Sequence, residues 1–106
     1  MIEPLEPAAL KRRLDAGEEL VLLDVREPGE LAICRLDGVR HIPLGELASR
    51  HGELDPEQPV VCICHHGLRS AGAAAFLLAN DFDTVYNLVG GMERWALDVD
   101  PDMNRY

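Results

Sequence analysis

Two hydrophobic rhythms alternate along the chain. Short apolar runs rich in branched residues, at 19–25, 59–64 and 84–88, are separated by segments whose apolar residues recur every three or four positions. The run Pro59-Val60-Val61-Cys62-Ile63-Cys64 has a proline before it and a glycine-containing loop after it, which is how a strand buried on both faces reads. Residues 39–42 read as a further, brief strand. Beyond Ser70 the period changes: Ala71, Ala74, Ala75, Leu77 and Leu78 form one face of a helix that stops near Asn80. Other helices are expected at 7–14, opened by Pro7 and closed by Gly17, and at 27–33, 43–50 and 92–97, the last carrying the only tryptophan, Trp95. Residues 55–59 read as an exposed connection, Gly90-Gly91 as a tight turn near the 64–70 loop, and the proline-broken tail 98–106 as a loosely held strap. Strands alternating with helices predict a single α/β domain over 1–106, with parallel pairing and right-handed crossovers.

The stretch Cys64-His65-His66-Gly67-Leu68-Arg69-Ser70 joins the most buried strand to the best-defined helix, with Ser70 as N-cap or first-turn residue. Open α/β sheets bind ligands at the carboxyl ends of their strands, and a helix N-terminus offers unpaired amides with partial positive charge. A thiol of ordinary pKa near 8.5 is biased toward thiolate in such a place. Arg69 is the fixed cation nearest in sequence. Successive loop amides can nest an anion on or beside the sulfur, and Gly67 permits backbone geometry that a Cβ resists.

Composition narrows the choice of partner. A chain of 106 residues with 47% hydrophobic content suits one core, and the net charge of −9 argues against nucleic acid or an anionic membrane. No apolar run is long enough to span a bilayer, and the start lacks the layout of a signal peptide, so a cytoplasmic protein is expected. Three cysteines without an export signal are expected to be reduced thiols rather than a disulfide framework. Cys34 reads as a packing residue. Cys62 shares a strand face with Cys64, but Cα atoms two apart lie roughly 6.5 to 7 Å from each other, at the limit for bridging. Cys62 is therefore read as core, with a resolving thiol as the lesser reading.

Four blocks, in order, resemble the rhodanese family: Leu22-Leu23-Asp24-Val25-Arg26-Glu27, Gly38-Val39-Arg40-His41-Ile42-Pro43-Leu44, the 64–70 loop, and Asn87-Leu88-Val89-Gly90-Gly91-Met92-Glu93-Arg94-Trp95. The resemblance covers nearly the whole chain. It implies an α/β fold with a central, mostly parallel five-stranded sheet and helices on both faces. It also implies a sulfurtransferase in which Cys64 takes sulfane sulfur from thiosulfate or a protein persulfide and passes it to a thiophilic acceptor such as cyanide, a thiol or a protein. The loop would hold the persulfide through His65, His66, Gly67, Leu68, Arg69 and Ser70, and no cofactor is expected. Four residues separate Cys64 from Arg69, one fewer than in the related phosphatases, which favours sulfur over phosphate or arsenate chemistry. Where the family's second block opens His-Ile-Pro-Gly-Ala, this chain reads Arg35-Leu36-Asp37-Gly38-Val39. The alternatives within this fold are a protein-to-protein sulfur relay and a non-catalytic interaction module. Oligomeric state is left open.

Asp24 and Arg26 are supporting candidates at the end of their strand, with a structural ion pair or loop hydrogen bond as the favoured role, because buried charges must be partnered. His65 and His66 flank the nucleophile and can bind an anion or donate a proton. His41 and His51 read as surface residues. Cys62, Cys64, His65 and His66 also invite a zinc reading, but adjacent histidines do not readily converge on one tetrahedral ion, and no metal is expected.

Overall fold

The computed structural model describes residues 1–106. Five strands, β1 (Glu3–Leu5), β2 (Val21–Asp24), β3 (Arg40–His41), β4 (Val60–Ile63) and β5 (Val85–Leu88), form one sheet in the order β1-β5-β4-β2-β3, every pair parallel. The helices are α1 (Pro7–Asp15), α2 (Pro28–Ile33), α3 (Leu47–Arg50), α4 (Leu68–Ala79) and α5 (Gly91–Asp98), with single 3₁₀ turns at Leu44–Glu46 and His51–Glu53.

β4 is central and buried throughout. Its side chains alternate between two apolar layers, as the pleat requires. Val60 and Cys62, with Cys64 beyond the strand end, pack with Leu47, Ala73, Ala74 and Leu77 of α3 and α4. Val61 and Ile63 face the other way, with Leu10, Met92 and Trp95 of α1 and α5. Cys62 and Cys64 thus share a face, as the sequence predicts. Burial pushes the Cys62 thiol up to about 12, so it stays protonated and apolar at neutral pH.

All strands being parallel, their carboxyl ends lie along one edge of the sheet. The loops after Asp24, Ile63 and Leu88 open there together. Val25 donates its amide to Ile63 O at 3.0 Å, which ties the first two loops at the point where the strands stop.

The edge strand β1 was not foreseen. It is three residues long and contains Pro4, which an edge position tolerates because one side of the strand needs no donor. The sheet is also more uniform than the mostly parallel one expected. α4 starts at Leu68, which makes Gly67 the N-cap, with φ of +99°, and puts Ser70 in the first turn. The tail is not loose: Arg105 pairs with Glu93, and Tyr106 reaches Arg26 and Glu30.

Candidate active site

Cys64 lies just past β4 and is 1% exposed. Gly67 closes the loop and donates its amide to Cys64 Sγ at 3.0 Å. The amides of His65, His66, Leu68, Arg69 and Ser70 find no acceptor within the chain, the last three being first-turn donors of α4 that no helical carbonyl can reach. A single sulfur is therefore surrounded in sequence by donors without partners, at the positive end of a twelve-residue helix.

What turns the donors free is visible on the carbonyl side. Cys64 O accepts from the Met92 amide at 2.9 Å and His65 O from the Glu93 amide at 3.1 Å, so the first turn of α5 holds the loop's carbonyls. This contact explains the Gly90-Gly91 turn. A Cβ on Gly91 would stand 2.3 Å from Cys64 O and 2.5 Å from His65 O, where no side chain fits. The expected turn close to the loop is present, and its function is close approach.

Ser70 and Asn87 complete the cradle. Ser70 Oγ stands 2.5 Å from Asn87 Oδ1 and 3.2 Å from Cys64 Sγ, while Asn87 Nδ2 donates to Gly67 O at 3.0 Å. The hydroxyl has one proton. Given to Asn87, it leaves Ser70 Oγ able to accept from a thiol; turned to sulfur, it supports an anion. Asn87 lies inside the fourth sequence block but reads there only as a strand residue.

Arg69 does not stand free. Its two terminal nitrogens donate to both Glu30 oxygens at 2.9 Å each, an ion pair across 39 residues that no local pattern announces. The hydrogen bonds from Arg69 are the main cause holding the Glu30 carboxyl below the usual range. Tyr106 adds a third donor to Glu30, at 3.0 Å.

Asp24 and Arg26 form the structural ion pair favoured from the sequence. Both are 0% exposed. Arg26 Nε and Nη2 bind both Asp24 oxygens at 2.7 to 3.1 Å, and Nη2 also donates to Cys34 O at 2.7 Å. Neither residue hydrogen-bonds the 64–70 loop. The link is indirect: Arg26 Nη1 donates to the Tyr106 hydroxyl at 2.9 Å. The Tyr106 ring stacks on His65 at 3.8 Å between centroids and 13° between planes, with His66 on the other contact at 3.9 Å. Burial, and then the neighbouring His66, push the His65 imidazole below its usual range, and its Nε2 is buried without a partner. His65 is thus a neutral packing surface at neutral pH. His41 is less of a surface residue than expected, with Nε2 2.6 Å from Arg26 O.

Nothing gathers the zinc ligand set considered above: no group of three or more His, Cys, Asp or Glu side chains is placed to hold an ion. Concavities of about 340 and 490 Å³ open elsewhere, and no residue of the loop lines either. At the sulfur itself one loop amide donates, that of Gly67, and five more amides of the loop lack partners in the chain.

Comparison with known proteins agrees with this geometry. A model described as Rhodanese-like domain matches residues 6–98. The chain is 37% identical over 100 residues to "Putative sulfurtransferase YtwF" of Bacillus subtilis, covering 94% of this chain and 96% of that one. It is 42% identical over 88 residues to "Putative sulfur carrier protein YrkF" of the same organism, covering 83% of this chain but only 48%, about half, of that longer protein. In structure it superposes on a rhodanese-like domain protein of Staphylococcus aureus with a TM-score of 0.85, over 99% of both chains at 23% identity, a likeness of fold. On the family match and these identities, the chain belongs to the rhodanese-like domain family.

Proposed function

We propose that the protein is a sulfurtransferase that carries sulfane sulfur on Cys64. The observation that carries the reading is the Cys64 sulfur held by the Gly67 amide at 3.0 Å, in a loop whose other amides have no partner in the chain. Such a cradle suits a small anion built on the sulfur itself.

The chemistry balances without a redox partner or cofactor. Cys64 thiolate attacks the outer sulfur of the donor; the donor's S–S bond breaks, and sulfite or a thiolate leaves with the electron pair. The enzyme is left as a Cys64 persulfide. An acceptor nucleophile, whether cyanide, a thiol or a protein cysteine, then attacks the outer sulfur and returns Cys64 to thiolate. In both steps negative charge passes onto sulfur near the loop amides, and Ser70 can turn its proton toward it.

Protein partners suit the site as well as small ones. Leu68, at the start of α4, is 84% exposed, an apolar side chain beside a buried nucleophile. The cysteines are all free, which fits a reducing compartment, and the cytoplasm is the proposed setting. No helix is long and apolar enough to cross a membrane.

Covalent carriage makes a kinetic prediction. Initial rates with thiosulfate or cysteine persulfide as donor and cyanide or a thiol as acceptor are expected to give parallel double-reciprocal lines, the mark of a ping-pong sequence. Intersecting lines would mean direct transfer between two bound substrates, and absence of turnover with every pair would leave an interaction module.

A further inference from the structure

We infer that Glu30 sets the donor specificity of this loop: by holding Arg69 in a bidentate pair, it directs the site toward sulfane sulfur carried on thiols, as persulfides, and away from thiosulfate. The inference rests on the sulfur-transfer reading and concerns which donor that site takes.

Thiosulfate brings a sulfonate with two negative charges shared across the ion, and these call for a cation with open donors. The guanidinium groups around the loop are already committed. Arg69 gives one N–H from each terminal nitrogen to Glu30, at 2.9 Å each, and its charge is compensated there. Arg26 is buried against Asp24. Arg105 pairs with Glu93, whose own amide holds His65 O, and Arg94, which follows the glycine turn, pairs with Glu6 and Asp98. His65 stays neutral. A sulfonate arriving at the loop meets unpartnered amides but no guanidinium without a carboxylate partner.

To draw on the Arg69 charge, the sulfonate must share it with a carboxylate that already neutralises it and that the Tyr106 hydroxyl also holds, at 3.0 Å. Tyr106 is itself fixed by Arg26 at 2.9 Å and by its stack on His65. The pair is only partly exposed, so solvent and salt screen it less than a surface pair. A thiol persulfide has no such need. Cys64 thiolate attacks its outer sulfur, the donor S–S bond breaks, and the carrier thiolate leaves with the electron pair. Attacked in its neutral S–H form, the donor passes that proton on with its outer sulfur, and the one charge at the reacting sulfurs moves from Cys64 to the leaving thiolate, where loop amides can hold it.

The test loads Cys64 in single turnovers with sodium thiosulfate or with cysteine persulfide, followed by intact mass, in wild type, Glu30→Gln and Tyr106→Phe. Wild type is expected to prefer cysteine persulfide by about a hundredfold in second-order rate, the discrimination a charge-assisted bidentate contact supplies. Glu30→Gln frees the Arg69 charge and is expected to narrow that preference about tenfold, through tighter thiosulfate binding. Tyr106→Phe leaves the carboxylate but removes one of its holds, and narrows the preference two- to threefold on the same scale; it also keeps the inference testable if Glu30→Gln folds poorly. A wild type that prefers thiosulfate, or a preference that neither variant moves, would overturn the inference while leaving sulfur transfer standing. Failure of both donors to load wild type would overturn the transfer reading, and this one with it.

Discussion

Replacing Cys64 with serine is expected to lower sulfur transfer by roughly a thousandfold or more, with donor and acceptor otherwise unchanged. The reason is chemical rather than structural. A hydroxyl at this position is protonated at any working pH and is a poor nucleophile toward sulfur, so the covalent carrier is lost and with it both half-reactions. The fold has little reason to change. Serine is slightly smaller than cysteine, its oxygen can accept the Gly67 amide now held by Sγ at 3.0 Å, and Ser70 Oγ stands close enough to bond it. Steady-state rates with either donor check the first expectation, and a thermal melt within a few degrees of wild type checks the second. Retention of more than a tenth of the activity would move the carrier to another thiol. Cys62 is a poor heir, because it is buried and its thiol is pushed up to about 12.

The largest effect on stability is expected at Arg26. Arg26→Met keeps most of the apolar stem but strips the guanidinium from Asp24, leaving a carboxylate with no exposure and one backbone donor, the Arg26 amide at 3.1 Å. An uncompensated buried charge typically costs about 3 to 5 kcal/mol. In a domain of this size each kcal/mol moves the melting temperature by roughly 4 to 8 °C, so a fall of at least about 12 °C is expected. The same substitution frees Cys34 O and the Tyr106 hydroxyl, which Arg26 now holds at 2.7 and 2.9 Å, so the tail should loosen at the same time. Urea unfolding monitored by circular dichroism measures the loss. The double variant with Asp24→Leu removes both charges and should recover part of it, as apolar replacements of buried pairs do. A loss below 1 kcal/mol for Arg26→Met would show that water reaches the pair in solution.

How much could be read from the chain depends on the range over which each contact acts. The central strand and its loop were legible because burial on both faces leaves a continuous apolar run, Val60 to Cys64, and the change to helical spacing after Ser70 fixes where it ends. The thiol at that junction followed directly. The glycine turn at Gly90-Gly91 was legible as a turn, though the two loop carbonyls it approaches were not. β1 escaped because three residues with a proline carry no period; its pairing comes from β5, more than eighty positions away in the register Pro4 to Asn87. Arg69 is, from the sequence, the fixed cation nearest to Cys64, and nothing there shows that it is paired. Its partner Glu30 lies on α2, and nothing in either segment specifies the other. Tyr106 is the same case at greater separation: a polar, proline-broken tail looks loose, yet one aromatic ring at its end finds His65, Arg26 and Glu30. Asn87 offered a signal that went unused, a polar side chain in an otherwise apolar strand, which in a buried sheet must have hydrogen-bond partners.

These features give one consistent account. A parallel sheet brings its loops to one edge, α5 holds two carbonyls of the Cys64 loop, and five of the loop's amides are left without partners in the chain. The central claim is that this sulfur is the carrier, and the most direct measurement is the intact mass of wild-type protein after exposure to cysteine persulfide, with peptide mapping of the product. A gain of one sulfur atom, mapped to Cys64 and removed by cyanide as thiocyanate, is the expected result. A mass that does not change, or an added sulfur that maps to Cys34 or Cys62, would contradict it.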